Sequence, residues 1–206
     1  GAVLAVWLVL LLSPIGQQNW QRLRLDRARF AQAGWPPAPS SLPIAPFSDD
    51  ARRLGMAHFL RQEPAAALTA WQTDAQSGLF LRQQGVAAFI AGEWETAVTW
   101  LTLAGQIDAT DSQTHYWLGQ TYEAQGQPEA ALRHYDLALA TLGEGETAGQ
   151  TAAMWAGRGR VLAQLTDWQA SADAFAQAVA LVPDNPDYAQ QLRQITLLLQ
   201  EIEESP

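Results

Sequence analysis

The sequence contains no cysteine and no lysine. The first absence excludes disulfides and thiolate metal sites. The second excludes a lysine nucleophile, a Schiff base and the lysine of a phosphate-binding loop. All twelve basic residues are arginine, against twenty-one Asp and Glu, for a net charge of −9. That balance argues against a nucleic-acid partner. Histidine is scarce: His58, His115 and His134 show no i+3 or i+4 pairing and no metalloprotease spacing, so a structural role is expected for each. No serine sits in a nucleophile elbow. The glycines of "LGEGETAGQ" are followed by no lysine and are interleaved with Glu144 and Glu146, which would repel a phosphate; the stretch reads as a flexible connector. The expectation is a protein with no catalytic residue, no cofactor, no metal and no small-molecule substrate.

Long apolar runs are also few, and the one present opens the chain. "GAVLAVWLVLLLSPIG" is uncharged from Gly1 to Gly16. A membrane-spanning helix needs about 20 apolar residues, and the chain begins on Gly without an initiator Met, so the span is expected to be incomplete at its start. A secretory signal core has a similar length, but no basic leader is visible. The reading is therefore a single-pass anchor over 1–16, with Trp7, Trp20, Arg22 and Arg24 at the membrane interface. A basic juxtamembrane helix follows over 17–33, holding four arginines. The arginine-rich flank places the rest of the chain in the cytoplasm by the positive-inside tendency. Residues 34–47, "GWPPAPSSLPIAPF", hold five of the eleven prolines and form a stiff linker, since proline excludes helix.

Beyond the linker the chain repeats itself. "LGMAHFLRQEPAAAL", "QGVAAFIAGEWETAV", "LGQTYEAQGQPEAAL" and "RGRVLAQLTDWQASA" align. Each has a first-helix glycine (Gly55, Gly85, Gly119, Gly159) and a small second-helix residue (Ala67, Ala97, Ala131, Ser171). A large residue stands four further on (Trp71, Leu101, Tyr135, Phe175), then Asp74, Ala104, Ala138 and Ala178. Small residues are needed where paired helices cross closely, and large ones fill the space beside the crossing. A hairpin of this kind leaves an apolar face exposed until a neighbour stacks on it. After the last copy, Tyr188, Leu192, Ile195, Leu199 and Ile202 form a stripe at helical spacing, which suits a closing helix. Most tryptophans, including Trp71, Trp94, Trp155 and Trp168, fall where hairpins pack, so core filling is expected of them.

The pattern resembles the tetratricopeptide repeat, a helix–turn–helix unit. The third copy carries it best, with Leu118, Gly119, Tyr122, Gly126, Ala131, Tyr135 and Ala138. The first departs from it at His58 and Asp74. The fold expected is all-α: a transmembrane helix, an α-solenoid of about four such hairpins over 48–185, and a capping helix and tail over 186–206. The resemblance implies a concave wall built by the first helix of each pair. On this chain it maps to Arg52, Arg53, Met56 and Phe59; Arg82, Val86 and Phe89; Tyr116, Trp117, Gln120 and Glu123; and Arg160. Arginine beside aromatic residues suits an interface that holds an acidic or C-terminal segment of another protein; the alternative is that these arginines are solvated or pair with Asp49, Asp50 and Glu123. The family's carboxylate-clamp set is not reproduced. The function expected is a non-catalytic, membrane-anchored scaffold mediating protein–protein interaction, an accessory or assembly subunit of a larger membrane complex. The alternative is the C-terminal repeat domain of a larger membrane enzyme, such as a glycan polymerase or ligase.

Overall fold

The structure is a computed structural model that describes residues 48–204; the expected anchor, juxtamembrane helix and linker, with Trp7, Trp20, Arg22 and Arg24, lie outside the described residues. Among the described residues there are helices and turns and no strand, so the all-α expectation holds. None of these helices is long and apolar enough to cross a membrane. In order they are α1 (Ser48–Leu60), α2 (Pro64–Trp71), α3 (Ser77–Ile90), α4 (Trp94–Ile107), α5 (Ser112–Ala124), α6 (Pro128–Ala140), α7 (Ala148–Gln164), α8 (Trp168–Leu181) and α9 (Pro186–Glu204). The chain divides after Phe80 into two compact units.

Four hairpin turns close in the same way. After α1, α3, α5 and α7 the chain passes through a left-handed residue: Gln62 (φ 61°), Gly92 (78°), Gly126 (69°) and Thr166 (63°). The next residue's amide then reaches back five positions: Glu63 to His58, Glu93 to Ala88, Gln127 to Tyr122, and Asp167 to Leu162, all at 2.9–3.0 Å. This geometry satisfies carbonyls left open at a helix end. Proline opens α2 and α6, where its missing N–H costs nothing. Asp167 caps α8 through the Ala170 amide, and Thr147 with Gln150 forms a reciprocal capping box on α7.

In the first unit, α1 and α2 form one hairpin. An added Cβ at Gly55 would lie 2.2 Å from the Trp71 indole, which is fully buried. The second helix is short here, eight residues against thirteen or fourteen in α4, α6 and α8. Asp74 therefore sits beyond the end of α2 rather than on it. Its buried carboxylate takes the Gln76 amide (3.1 Å) and faces Arg52 Nε at 3.2 Å. That accounts for aspartate where the other copies carry alanine.

In the second unit the glycine-to-large pairing recurs at every hairpin. A Cβ at Gly85 would meet Leu101 at 2.5 Å, at Gly119 the Tyr135 ring at 2.9 Å, and at Gly159 the Phe175 ring at 2.9 Å. Ala97, Ala131 and Ser171 are fully buried beside these contacts, and Ser171 Oγ donates to the Gly159 carbonyl at 2.8 Å. Successive hairpins stack: α4 packs on α5, α6 on α7 and α8 on α9. Tyr135 links two of them, because Gly157 of α7 also faces its ring, at 2.5 Å from a would-be Cβ. At the end of the array, Ile195 of α9 is buried with Ala152, Ala156, Ala172, Phe175 and Ala178, and Tyr188, Leu192 and Leu199 pack around them. The stripe on α9 stops there: Ile202, expected to belong to it, is half exposed.

Candidate protein-docking wall

The twelve wall residues fall in both units. Arg52, Arg53, Met56 and Phe59 lie on α1, all partly buried. Phe59 stacks at a tilt against Trp71 (ring centroids 6.1 Å apart), and Arg52 is tied to Asp74. The remaining eight belong to the second unit, on α3, α5 and α7, and each keeps a partly accessible side chain.

On α3 and α5 the wall is aromatic. Phe89 lies edge-on to Trp117, with centroids 5.4 Å apart, and against Trp94 at 5.3 Å. Trp117 and Tyr116 meet edge-on at 5.6 Å. Tyr116 and Gln120 are one helical turn apart, and the Gln120 amide donates to the Tyr116 hydroxyl. Neighbouring aromatic side chains with partly open faces offer large, rigid contact area at little entropic cost. Val86 is half-buried on α3.

The charged members are not free cations. Arg82 donates to both oxygens of Asp111, the residue that precedes α5, and the Thr114 hydroxyl donates to the same carboxylate. Arg160 donates to Glu123 through Nε (2.9 Å) and through a terminal nitrogen (3.1 Å). The Tyr135 hydroxyl donates to the same Glu123 carboxylate at 2.7 Å. Burial raises the Tyr135 pKa, and the Glu123 charge and hydrogen bond raise it further. Tyr116 is likewise raised by burial; Arg160 pulls the other way, and Tyr188 and Glu123 add to the rise. For Arg160 burial works against the charge, but the Glu123 hydrogen bond and charge outweigh it, and its pKa is raised. Of the two readings the sequence allows, cations turned toward a ligand or arginines paired within the chain, Arg52, Arg82 and Arg160 follow the second: all face carboxylates of this chain, Arg160 that of Glu123.

Asp111, Thr114 and Tyr135 join the wall without having been expected there: Asp111 meets Arg82 across a hairpin boundary that spacing does not reveal, and Thr114 and Tyr135 enter through the carboxylates they hold. Sequence reasoning also treated the histidines singly. His115 of α5 and His134 of α6 stack at 5.7 Å, and His134 lies flat on Tyr122 at 5.3 Å. Burial, then His115 and Arg133, push the His134 pKa down to about 4. His58 is buried with Nδ1 2.6 Å from Glu63. Among the described residues no three potential metal ligands come together.

Comparison with known proteins fits this architecture. The family described as tetratricopeptide repeat matches residues 112–142, which span α5 and α6. No curated protein matches the chain. Among solved structures, the first tetratricopeptide domain of Spaghetti (RPAP3) bound to the HSP90 peptide SRMEEVD superposes with TM-score 0.57 at 20% identity, over 62% of this chain and 96% of that one. The Arabidopsis OM64 domain gives 0.53 at 16% identity, over 58% and 94%. The Sgt2 domain from Aspergillus fumigatus gives 0.55 at 18%, over 62% and 82%. Residues 112–142 thus match the tetratricopeptide repeat, and the described helices share the fold of tetratricopeptide-repeat domains.

Proposed function

We propose that this chain is a non-catalytic docking scaffold held at a membrane, and that it serves as an accessory or assembly subunit of a larger membrane complex. The wall of the second unit would bind an extended segment of a partner protein. The main support is the aromatic face formed by Phe89, Trp117 and Tyr116, beside the hydrogen-bonding Gln120. Such a face supplies the buried anchors that dominate binding energy at protein interfaces. The similar Spaghetti domain is bound to a peptide, which supports the same use of the fold here. The uncharged run Gly1–Gly16, with Trp7, Trp20 and the arginine cluster beyond it, supports attachment to a membrane.

The test is to extract the full chain in mild detergent, identify what co-purifies, and repeat with Trp117→Ala and Phe89→Ala. Both rings stand on the wall rather than in the fully buried core. The variants should keep their circular dichroism and lose the partner, each at a cost of about 2 kcal/mol or more. Undiminished recovery of the partner by both folded variants would remove the wall from the account. Full recovery of the chain in the soluble fraction without detergent would remove the membrane.

A further inference from the structure

We infer that Glu123 is a specificity-determining residue of the second-unit wall: by occupying Arg160 it bars carboxylate-bearing segments and leaves the wall to uncharged, apolar ones. This deepens the docking function proposed above and rests on it. Glu123 is tightly held. One oxygen accepts from Arg160 Nε, and the other from a terminal Arg160 nitrogen and the Tyr135 hydroxyl. Its side chain is only 16% exposed. A carboxylate gripped by three donors in a half-buried place does not swing aside readily. An acidic residue approaching the outer edge of Arg160 would therefore meet a cation whose charge is already matched, with a second carboxylate a few ångströms away.

The same arrangement recurs on α3. Asp111 holds Arg82 and is itself held by Thr114. The two cations and two anions of the wall cancel. They cancel, moreover, within a strongly acidic surrounding: residues 81–204 contain five arginines and sixteen Asp and Glu. Long-range attraction for an acidic tail is absent, and repulsion takes its place. What the wall offers openly is apolar and hydrogen-bonding surface: the Phe89, Trp117 and Tyr116 rings and Gln120. The partner chemistry that complements it is an extended uncharged segment carrying proline and large apolar side chains.

The test uses two labelled peptides of equal length. One is the uncharged sequence LPPLPASSFPLAPW, which the chain does not itself contain; the other carries glutamate in place of its two serines and its last alanine. Each is titrated by fluorescence anisotropy into the full chain in non-ionic detergent, with a protein-free micelle blank. The native protein should bind the uncharged peptide about tenfold more tightly than the acidic one. The uncharged peptide's affinity should move less than about twofold between roughly 50 and 500 mM salt. Glu123→Gln keeps an acceptor for Tyr135 and frees the Arg160 charge. It should tighten the acidic peptide about tenfold at low salt and leave the uncharged one within about twofold. Asp111→Asn provides the same comparison at Arg82, should Glu123→Gln lose its native circular dichroism. A native protein that prefers the acidic peptide, or folded variants that treat it as the native protein does, would overturn the assignment. If neither peptide binds the native protein or either variant, the docking function of this wall fails instead.

Discussion

At the scale of single residues, the second unit is organised by rings resting on glycines. Tyr135 is the most constrained of them, fully buried between Gly119 of its own hairpin and Gly157 of the next. A methyl group at Gly157 would enter a ring that is itself tethered through its hydroxyl to Glu123. Gly157→Ala should gain the usual helix preference of alanine, about 0.5–1 kcal/mol. It should lose more to overpacking, typically about 1–3 kcal/mol, and so melt at a lower temperature. Gly149, at the exposed start of the same helix, has no such ring against it; Gly149→Ala should be neutral or stabilising. His134 gives the second prediction. Its folded pKa of about 4 lies below the ordinary 6.5 because burial, His115 and Arg133 disfavour the imidazolium. The unfolded chain therefore binds the proton more readily. This contribution to stability is complete above about pH 6.5 and is lost as pH falls toward 4. The ring is partly open to solvent, so the loss should be about 1 kcal/mol rather than the full linkage value. His134→Phe, which can retain the stack on Tyr122, should lose less melting temperature than the native chain between pH 7 and 4.5; an equal loss would refute the linkage. The Gly-to-ring pairs were legible in the sequence, because each lies within one hairpin at a constant separation. Glu123 was legible as a partner for a wall arginine, though not which one; Asp111 with Arg82 and Tyr135 with Gly157 were not legible, because each partner is fixed by how one hairpin stacks on the next.

At the scale of elements, the hairpins share one turn but not one turn residue. Gly92 and Gly126 take the left-handed conformation without cost, whereas Gln62 and Thr166 take it with a side chain attached. A β-branched residue is the less suited of the two. Thr166→Gly should raise the stability of the second unit by up to about 1 kcal/mol, measurable as a shift in the denaturation midpoint. Gly126→Thr should lower it by a similar amount. Turn positions were readable from the alignment of the copies, but the strain at Thr166 was not, since nothing in a threonine announces its φ. The first copy shows a related limit. Its glycine precedes the next by 30 residues where the following pair stand 34 apart, and the structure resolves the difference as a truncated α2. Asp74 then reads correctly only as a turn residue holding Arg52 and the Gln76 amide.

At the scale of the whole molecule, a stacked array makes stability local. Each hairpin of the second unit draws its burial from its neighbours, so a lesion at one end is felt most by the hairpin beside it. α9 makes this testable. It adds Ile195 to a cluster whose other members, Ala152, Ala156, Ala172, Phe175 and Ala178, all come from α7 and α8. Replacing Ile195 by Asp would bury an unpaired carboxylate there or peel the helix away, at a cost of about 3 kcal/mol. In an array the consequence is graded. Hydrogen exchange should accelerate strongly in α7 and α8, whose apolar faces α9 covers, less in α5 and α6, and least in α3 and α4. The exposed Leu197, two positions along the same helix, supplies the control: Leu197→Asp should leave all three hairpins protected. Uniform acceleration across the second unit after Ile195→Asp would mean that it opens as one cooperative block, its hairpins too strongly coupled to respond in order. A graded profile would instead place the docking wall, centred on α3 and α5, in the part of the array least sensitive to its C-terminal end.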